Sequence, residues 1–211
     1  KDRALAITET QSDATWGLDR INQAALPLDG VFSYQASGSD VTAYIIDTGV
    51  QASHPEFGGR VQAGYGRYAQ TDCHGHGTHV AGTVGSSTYG VAKSVQIVPV
   101  QVLDCSGSGW DSDVIAGMDW IMSPENPNAK TSAVLNLSIG GNKSNAVNSA
   151  IQRLTNAGVV VVAAAGNDSK SVNWPARYDE VIAVAALDKN GNLAHFSSRG
   201  QELDGAVPGV D

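Results

Sequence analysis

The sequence predicts an α/β protein: one domain of three layers, in which helices cover both faces of a mostly parallel central sheet. Short apolar runs alternate along the chain with segments of helical periodicity, a pattern typical of parallel strands joined by right-handed crossovers. The runs are rich in Val, Ile and Ala, as expected for strands buried between layers of helices. A length of 211 residues suits one domain with one sizeable core.

Five apolar runs bounded by turn residues are predicted as strands; they span residues 41–46, 95–103, 133–137, 159–164 and 181–187. The first run is almost continuously apolar, which favours a strand buried on both faces. It closes at Asp47-Thr48-Gly49. Because ligands of open α/β sheets gather at the carboxyl ends of the strands, Asp47 is a candidate for chemistry.

Three segments between the strands have the pattern of helices. Residues 144–157 carry an apolar stripe that begins after a capping serine and ends before a glycine. Residues 111–122 carry a similar stripe and end shortly before a proline. A run of small residues at about 78–85 follows a glycine-rich turn and predicts the third helix.

The glycine-rich turn contains three histidines, in the sequence His74-Gly75-His76-Gly77-Thr78-His79. His76 stands next to the predicted helix N-terminus, where flanking glycines let other groups approach closely. A carboxylate at a strand end and an imidazole at a helix start are two of the three groups of a hydrolytic triad. The pair Asp47 and His76 therefore predicts a hydrolytic site.

The same turn permits two other interpretations. Its three histidines have the spacing of a zinc-hydrolase motif, in which imidazoles hold a metal that activates water. Metallo-β-lactamase-like enzymes, however, place an aspartate where this chain has Thr78, and they need further histidines downstream, of which only His195 remains. A dinucleotide-binding glycine loop is disfavoured because Val80 occupies the position of its third glycine.

Three motifs resemble the signatures of subtilisin-like serine proteases: Asp47-Thr48-Gly49, His76-Gly77-Thr78-His79-Val80-Ala81-Gly82 and Ala164-Ala165-Gly166-Asn167. Further segments resemble the proteinase K branch, and the resemblance covers about residues 11–211. It implies the subtilisin-like fold. It also implies that His76 is a general base, that Asp47 orients its imidazole, and that the Asn167 amide donates to an oxyanion.

The family's nucleophile motif, Gly-Thr-Ser-Met, is absent from the 211 residues. Because the family's chain order is Asp, His, Ser, we expect this sequence to end before the serine and the chain alone to lack peptidase activity. Residues 1–10 resemble the end of an inhibitory propeptide, with an ordinary N-terminal extension as the alternative, and residues 11–211 are expected to be the peptidase domain. A peptide-binding chain without catalysis is the alternative function.

The resemblance also implies how substrate would bind. Two glycine-rich segments match the edges between which relatives hold an extended peptide; their residues are Gly107, Ser108 and Gly109, and Ser138, Ile139 and Gly140. Such edges pair with the peptide main chain, so specificity should be broad. Ala164 and Gly166 are small and are expected to floor a roomy S1 pocket that accepts apolar or aromatic P1 side chains.

Calcium (Ca²⁺) is the cofactor that the resemblance implies, as a structural ion. One predicted set combines the Asp204 carboxylate with main-chain carbonyls near Asp179 and Val181. A second set aligns with a site of some bacterial relatives; its members are Asp19, Asn22, Gln23 and Asp29. An amide at position 22 replaces a carboxylate of those relatives, which lowers the negative charge of the set.

The two cysteines, Cys73 and Cys105, are compatible with zinc ligands, free thiols or a disulfide. The resemblance to extracellular proteases, some of which join cysteines at these places, favours a Cys73–Cys105 disulfide. The formal charge of −8 argues against nucleic-acid binding, and no run long enough to span a membrane is present. The resemblance implies a secreted, extracellular, monomeric enzyme that acts on peptides and proteins and is inhibited by its own propeptide.

Overall fold

A computed structural model of the chain describes residues 8–129 and 132–210. Its centre is a sheet of six parallel strands in the order β4-β3-β5-β6-β7-β8. The strands are β3 (Thr42–Asp47), β4 (Gln96–Gln101), β5 (Ala133–Leu137), β6 (Val160–Ala164), β7 (Ile182–Leu187) and β8 (Gly205–Pro208). The α/β class with a mostly parallel sheet is confirmed, and all five pairings are parallel.

The helices form the layers on either side of this sheet. Helix α2 (His76–Gly85) packs on β3 and β4, whereas α3 (Asp111–Ile121) and α4 (Asn145–Asn156) pack on the opposite face. Helix α4 starts as predicted, with the Ser144 hydroxyl accepting from the Val147 amide. None of the helices in the described ranges is long and apolar enough to cross a membrane.

A small second sheet and a short helix lie at the N-terminal side. Strand β1 (Glu9–Gln11) pairs antiparallel with β2 (Phe32–Tyr34), and α1 (Trp16–Asn22) connects them. A strand was expected at the end of the propeptide-like segment, over residues 5–10, and β1 overlaps its last two residues. Neither α1 nor β2 was predicted, because a seven-residue helix and a three-residue strand are too short to show periodicity. The predicted boundary between residues 10 and 11 falls inside β1, and residues 1–7 lie outside the described ranges.

The two halves of the sheet differ in how they are covered. Every residue of β3 is buried, because α2 covers one face of this strand and the α3–α4 layer the other. In β5, β6 and β7 burial alternates along the strand, so that only the face toward α3 and α4 is closed. Within the described residues, three layers are therefore complete only around β3 and β4.

Candidate active site

Asp47 and His76 lie in contact at the carboxyl end of β3. Asp47 is the last residue of the strand and is fully buried, and His76 opens α2. The His76 Nδ1 atom lies 2.7 Å from Asp47 Oδ1 and 2.9 Å from Oδ2. These distances agree with the range of about 2.6–3.2 Å expected for a base and the group that orients it.

Gly77 makes this contact possible because it lets the first turn of α2 approach the end of β3 closely. A Cβ atom at Gly77 would lie 2.1 Å from the Gly49 carbonyl oxygen and 3.0 Å from the Asp47 Cβ. Any larger residue would therefore push α2 away from the strand that carries Asp47. The glycine of the His-Gly-Thr-His motif is thus required by close packing at the site.

The contact changes the acid–base behaviour of the imidazole. The hydrogen bond to Asp47 raises the pKa of His76 above its ordinary value, and partial burial opposes this rise. The negative charges of Asp47 and Asp72 raise the same pKa further. Among the described residues, only Asp47 hydrogen-bonds to the His76 ring, so its Nε2 atom faces the adjoining cleft without a partner. This arrangement suits a base that receives a proton at Nε2.

The other two histidines of the motif are arranged differently. His74 accepts a hydrogen bond from the His76 amide through its own Nδ1, and the two rings lie 6.3 Å apart and nearly perpendicular. His79 is exposed on α2. The described ranges contain no group of three or more His, Cys, Asp or Glu side chains arranged to hold a metal. The histidine geometry therefore gives no support to the zinc interpretation.

The structure contains the predicted disulfide. Cys73 and Cys105 are bonded, with Cα atoms 5.1 Å apart, and no free cysteine remains. The bond connects the loop that precedes His76 to the loop that follows β4. In the chain-entropy account, closing 32 residues stabilises the fold by about 3–4 kcal/mol.

An open cleft of about 650 Å³ begins at His76. Both predicted peptide-binding edges line it, namely Gly107, Ser108 and Gly109 on one side and Ser138, Ile139 and Gly140 on the other. Its floor is apolar and aromatic, with Val114, Val147 and Tyr178 largely buried and Trp174 beside them. The cleft thus combines two glycine-containing edges with an apolar floor and the His76 imidazole at one end.

Asn167, Ala164 and Gly166 line a second cavity instead. This cavity, which we call the trough, has a volume of about 690 Å³ and runs along the open face of β5–β8, bordered by α2. Its lining is almost entirely apolar and contains no titratable side chain. Ser138 lines both cavities, so the cleft and the trough are adjacent. The structure therefore divides the predicted substrate-binding residues between two neighbouring cavities.

The turn that carries Asn167 is firmly held although its side chain is exposed. The Ser198 amide donates to the Gly166 carbonyl at 2.9 Å, and the Ser198 hydroxyl donates to Asp168 at 2.8 Å. Gly166 has a φ of +110°, and a Cβ there would lie 2.4 Å from Asn173 Nδ2. The Asn167 amide itself has no hydrogen-bond partner among the described residues, so it is free to donate to a ligand.

The two predicted calcium sets differ in their surroundings. Asp19 is 2% exposed; its Oδ2 accepts from the Gly30 amide at 2.6 Å, while its buried Oδ1 has no partner in the described part of the chain. In the other set, Asp204 is exposed and its Oδ2 accepts from the Ala183 amide at 2.8 Å. Asp179 is exposed as well, and Val181 is buried.

The remaining members of the Asp19 set lie around α1. With its amide oriented to satisfy its neighbours, Asn22 donates to three main-chain carbonyls at 3.0–3.2 Å. Gln23 donates to the Ala25 and Pro27 carbonyls, and Asp29 Oδ1 accepts from the Val31 amide at 3.0 Å. Of the carboxylate oxygens in this set, Asp19 Oδ1 is the one that is buried without a hydrogen-bond partner in the described residues.

Several residues at the site were not singled out from sequence. His74 lines the cleft beside Gly107, and Trp110 and Trp174 line the same cleft; the sequence predicted no place in a substrate cleft for these three. Asp72 and Thr48 connect the motif of Asp47 to that of His76. Their positions inside or next to recognised motifs were the available signal, but side-chain partners 24 or more residues apart cannot be read from spacing.

Comparison with known families gives a match over most of the chain. A sequence model described as the subtilase family matches residues 38–210. The chain is 51% identical over 214 residues to an extracellular serine proteinase of Thermus sp. (strain Rt41A), covering 98% of this chain and 50% of that protein. It is 43% identical to proteinase T of Parengyodontium album, covering 100% of this chain and 74% of that protein.

A second bacterial relative and a solved structure add to this. The alkaline serine exoprotease A of Vibrio alginolyticus is 45% identical, with coverage of 99% of this chain and 39% of that protein. The crystal structure of a cold adapted subtilisin-like serine proteinase superposes with a TM-score of 0.88 at 46% identity, covering 94% of this chain and 73% of that one. The chain thus spans half or less of the two bacterial relatives.

Proposed function

Because the chain belongs to the subtilase family, we propose that the complete protein is a serine endopeptidase whose acid–base centre is the Asp47–His76 pair. The observation that carries this proposal is the contact between a buried carboxylate and a half-exposed imidazole at the mouth of a cleft with two glycine-containing edges. The superposition on a subtilisin-like proteinase supports the same function.

In the proposed reaction His76 acts through Nε2. It would take the proton of a serine hydroxyl as the oxygen attacks the substrate carbonyl, and it would return that proton to the leaving amine. Asp47 would hold Nδ1 protonated and stabilise the imidazolium that forms. The raised pKa of His76, caused first by its hydrogen bond to Asp47, supports this role because it reflects stabilisation of the charged ring.

Asn167 is proposed to stabilise the developing oxyanion through its side-chain amide. Support comes from its exposed, unpartnered side chain on a firmly held turn at the carboxyl end of β6. Removing a donor of this kind costs about 2.7–4 kcal/mol of transition-state stabilisation in subtilisin. The serine that completes the triad is proposed to belong to the complete protein, since the 211 residues lack the Gly-Thr-Ser-Met motif.

The substrate is proposed to be an extended peptide or protein segment of broad sequence. It would pair through its main chain with the glycine-containing edges of the cleft, as an added strand does. Ala164 and Gly166 are proposed to leave room for an apolar or aromatic P1 side chain. Beyond substrates, the proposed partner is the protein's own propeptide as an inhibitor, with the enzyme acting as a monomer.

We propose that the enzyme is secreted and acts outside the cell. One relative is named an extracellular proteinase, and the disulfide of this chain suits an oxidising compartment.

Structural calcium is proposed with the Asp19 set as its better-supported site. Calcium takes carboxylate and carbonyl oxygens, and the buried, unpaired Oδ1 of Asp19 offers one. When bound, the ion would supply positive charge that stabilises the folded α1 region. If the proposal holds, calcium raises the melting temperature of the chain, and Asp19→Asn removes more of that rise than Asp204→Asn does. An equal rise in wild type and Asp19→Asn would refute this site.

The protease proposal is tested on the complete protein with a chromogenic peptide. Wild type is expected to turn over and to be inactivated irreversibly by a sulfonyl fluoride, and His76→Ala is expected to abolish activity. His79→Ala, one turn along the same exposed helix surface, is the matched control and should retain activity. The 211-residue chain alone is expected to show no turnover. Two outcomes would reject the proposal. Immediate loss of activity on chelation, with resistance to the sulfonyl fluoride, would indicate a zinc hydrolase. A complete protein that binds peptides without cleaving them would indicate a binding protein.

A further inference from the structure

The carboxylate of Asp72, which the proposed mechanism does not use, lies at the centre of the turn that carries His76. Its Oδ1 accepts from the main-chain amides of His74 and Gly75, at 3.1 and 2.9 Å. Its Oδ2 accepts from the amide of Thr78 at 2.9 Å and also from the Thr78 hydroxyl. One side chain therefore fixes the main chain on both sides of His76.

The same carboxylate connects this turn to the end of β3. The Thr48 hydroxyl donates to Asp72 Oδ1 at 2.9 Å and accepts from the Gly77 amide at 3.0 Å. The Thr48 amide donates to Asp47 Oδ1 at 2.7 Å. Thr48 and Asp72 thus join the end of β3, which carries Asp47, to the turn that carries His76. This connection is additional to the direct contact between Asp47 and His76.

The backbone of Asp72 indicates that this arrangement is specifically stabilised. Its φ is +43°, in the left-handed region that non-glycine residues enter at a cost. The hydrogen bonds that its side chain receives offset that cost. Partial burial alone would raise the pKa of the Asp72 carboxyl, but the hydrogen bonds from Thr78, Gly75 and Thr48 together hold it below its ordinary value. Asp72 is therefore ionised at neutral pH.

Asp72 also acts on His76 through its charge. In the described part of the chain, the titratable groups that hydrogen-bond to the His76 ring or to its turn are Asp47 from β3, and Asp72 and His74 from the loop before α2. Asp104, in the loop joined by the disulfide, lies close enough to interact electrostatically with His74. Of these groups, Asp47 first and Asp72 second favour the charged imidazole.

We propose that Asp72 is a positioning residue. It holds the His76 ring in contact with the Asp47 carboxylate and favours the imidazolium that forms during catalysis. This proposal rests on the proposed function only for its kinetic consequence. The geometric and electrostatic parts concern the 211-residue chain as it stands. A residue that only stabilised the end of the helix would change the free energy of unfolding but would leave kcat of the folded protein unchanged.

The first test is an NMR titration of the His76 ring in the 211-residue chain. Asp72→Asn, which keeps the shape and removes the charge, is expected to move the His76 midpoint to lower pH. Asp188→Asn is the matched control, because Asp188 also accepts two main-chain amides of a turn, those of Asn190 and Asn192, but does not contact α2. An unchanged His76 midpoint in folded Asp72→Asn would overturn the proposal.

The second test is kinetic and uses the complete protein. Asp72→Asn is expected to lower kcat by about 10²-fold with little change in KM, since misplacing a catalytic group by about 1 Å has effects of this size. The pH limb of kcat/KM should move to lower pH with it. If Asp72→Asn fails to fold, Thr48→Val tests the connection, and Thr48→Ser should restore it by returning the hydroxyl. Full activity in both Asp72→Asn and Thr48→Val would refute the positioning role.

The two tests separate the two proposals. If the complete protein has no peptidase activity, the proposed function fails, and the NMR titration still decides whether Asp72 controls the His76 ring. If the protein is active and the His76 titration does not depend on Asp72, only the positioning role fails.

Discussion

The two halves of the sheet hold different parts of the candidate site and hold them by different means. Around β3 and β4 both faces are closed, and Asp47 and His76 are fixed by side-chain hydrogen bonds and a disulfide. Along β5–β8 one face is open as the trough, and Asn167 stands at its margin with a held main chain and an unpartnered side chain. We call the first half preassembled, because Asp47 and His76 are already in contact within the described residues. In the second half, the Asn167 side chain and the open trough are available to a ligand or to another segment.

The largest expected effect is at the preassembled half. In the complete protein, Asp47→Asn should lower kcat by about 10⁴-fold, because the imidazole loses the group that fixes its tautomer. Asp188→Asn, which removes the same charge at a distant turn, should have kinetics close to wild type. Peptide turnover under saturating substrate measures both. A loss smaller than about 10-fold in Asp47→Asn would show that the contact in the structure is not used in catalysis.

The disulfide gives the next effect, on stability. Replacing both Cys73 and Cys105 by serine should lower the free energy of unfolding by about 3–4 kcal/mol, measured by urea denaturation of the 211-residue chain. Reducing the wild-type chain under the same conditions should reproduce the loss. A change below about 1 kcal/mol would mean that the surrounding hydrogen bonds hold this half of the molecule without the crosslink.

Asn167 should affect activity strongly and stability hardly at all, whereas the disulfide is expected to act on stability. Asn167→Ala is expected to lower kcat of the complete protein by about 10²–10³-fold. The free energy of unfolding of the 211-residue chain should change by less than about 0.5 kcal/mol, because the side chain is exposed and makes no hydrogen bond to the described residues. A large loss of stability with unchanged kcat would assign Asn167 to the fold rather than to the reaction.

The accuracy of the predictions from sequence also differs between the two halves of the sheet. The five long apolar runs were located to within about two residues because each buries at least one face, and burial sets composition directly. Strand β8 was missed because it is four residues long, contains Gly and Pro, and is largely exposed. The prediction of helices on both faces holds around β3. In β5, β6 and β7 burial alternates along the strand, and within the described residues only the face toward α3 and α4 is covered.

Among the site residues, Asp47 and His76 were predictable because each stands at the end of a recognisable element. The separation of Asn167 from their cleft was not, since which cavity a strand end faces depends on the neighbouring strands and helices. The role of Asp72 depends on partners in Thr48 and Thr78, and such a three-way contact has no periodic signal in the sequence.

Neighbouring residues of β6 test the difference between the two faces. Val161 is 1% exposed and packs in the core toward α3 and α4, whereas Val162 faces the trough. Val161→Ala should lower the free energy of unfolding by about 1.5–3 kcal/mol, from lost burial and a new cavity. Val162→Ala should cost less than about 1 kcal/mol in the 211-residue chain, by urea denaturation. Equal losses would show that the trough is closed in solution.

The smallest expected effect is the pH dependence that His76 gives to stability. Since the hydrogen bond to Asp47 raises the folded-state pKa of His76, the stabilising contribution is fully present below the unfolded value of about 6.5 and is lost as pH rises through the raised folded value. The ring is about half exposed, so solvent screening should keep the effect below about 1 kcal/mol. The difference in unfolding free energy between wild type and His76→Gln should therefore be larger near pH 5.5 than near pH 9.

Asn167→Ala is the control for this pH dependence. The trough lining has no titratable side chain, so the difference in unfolding free energy between wild type and Asn167→Ala should not vary with pH. A wild-type advantage over His76→Gln that grew with pH would contradict the charge-stabilised pair and would leave Asp47 as a packing partner of a neutral ring.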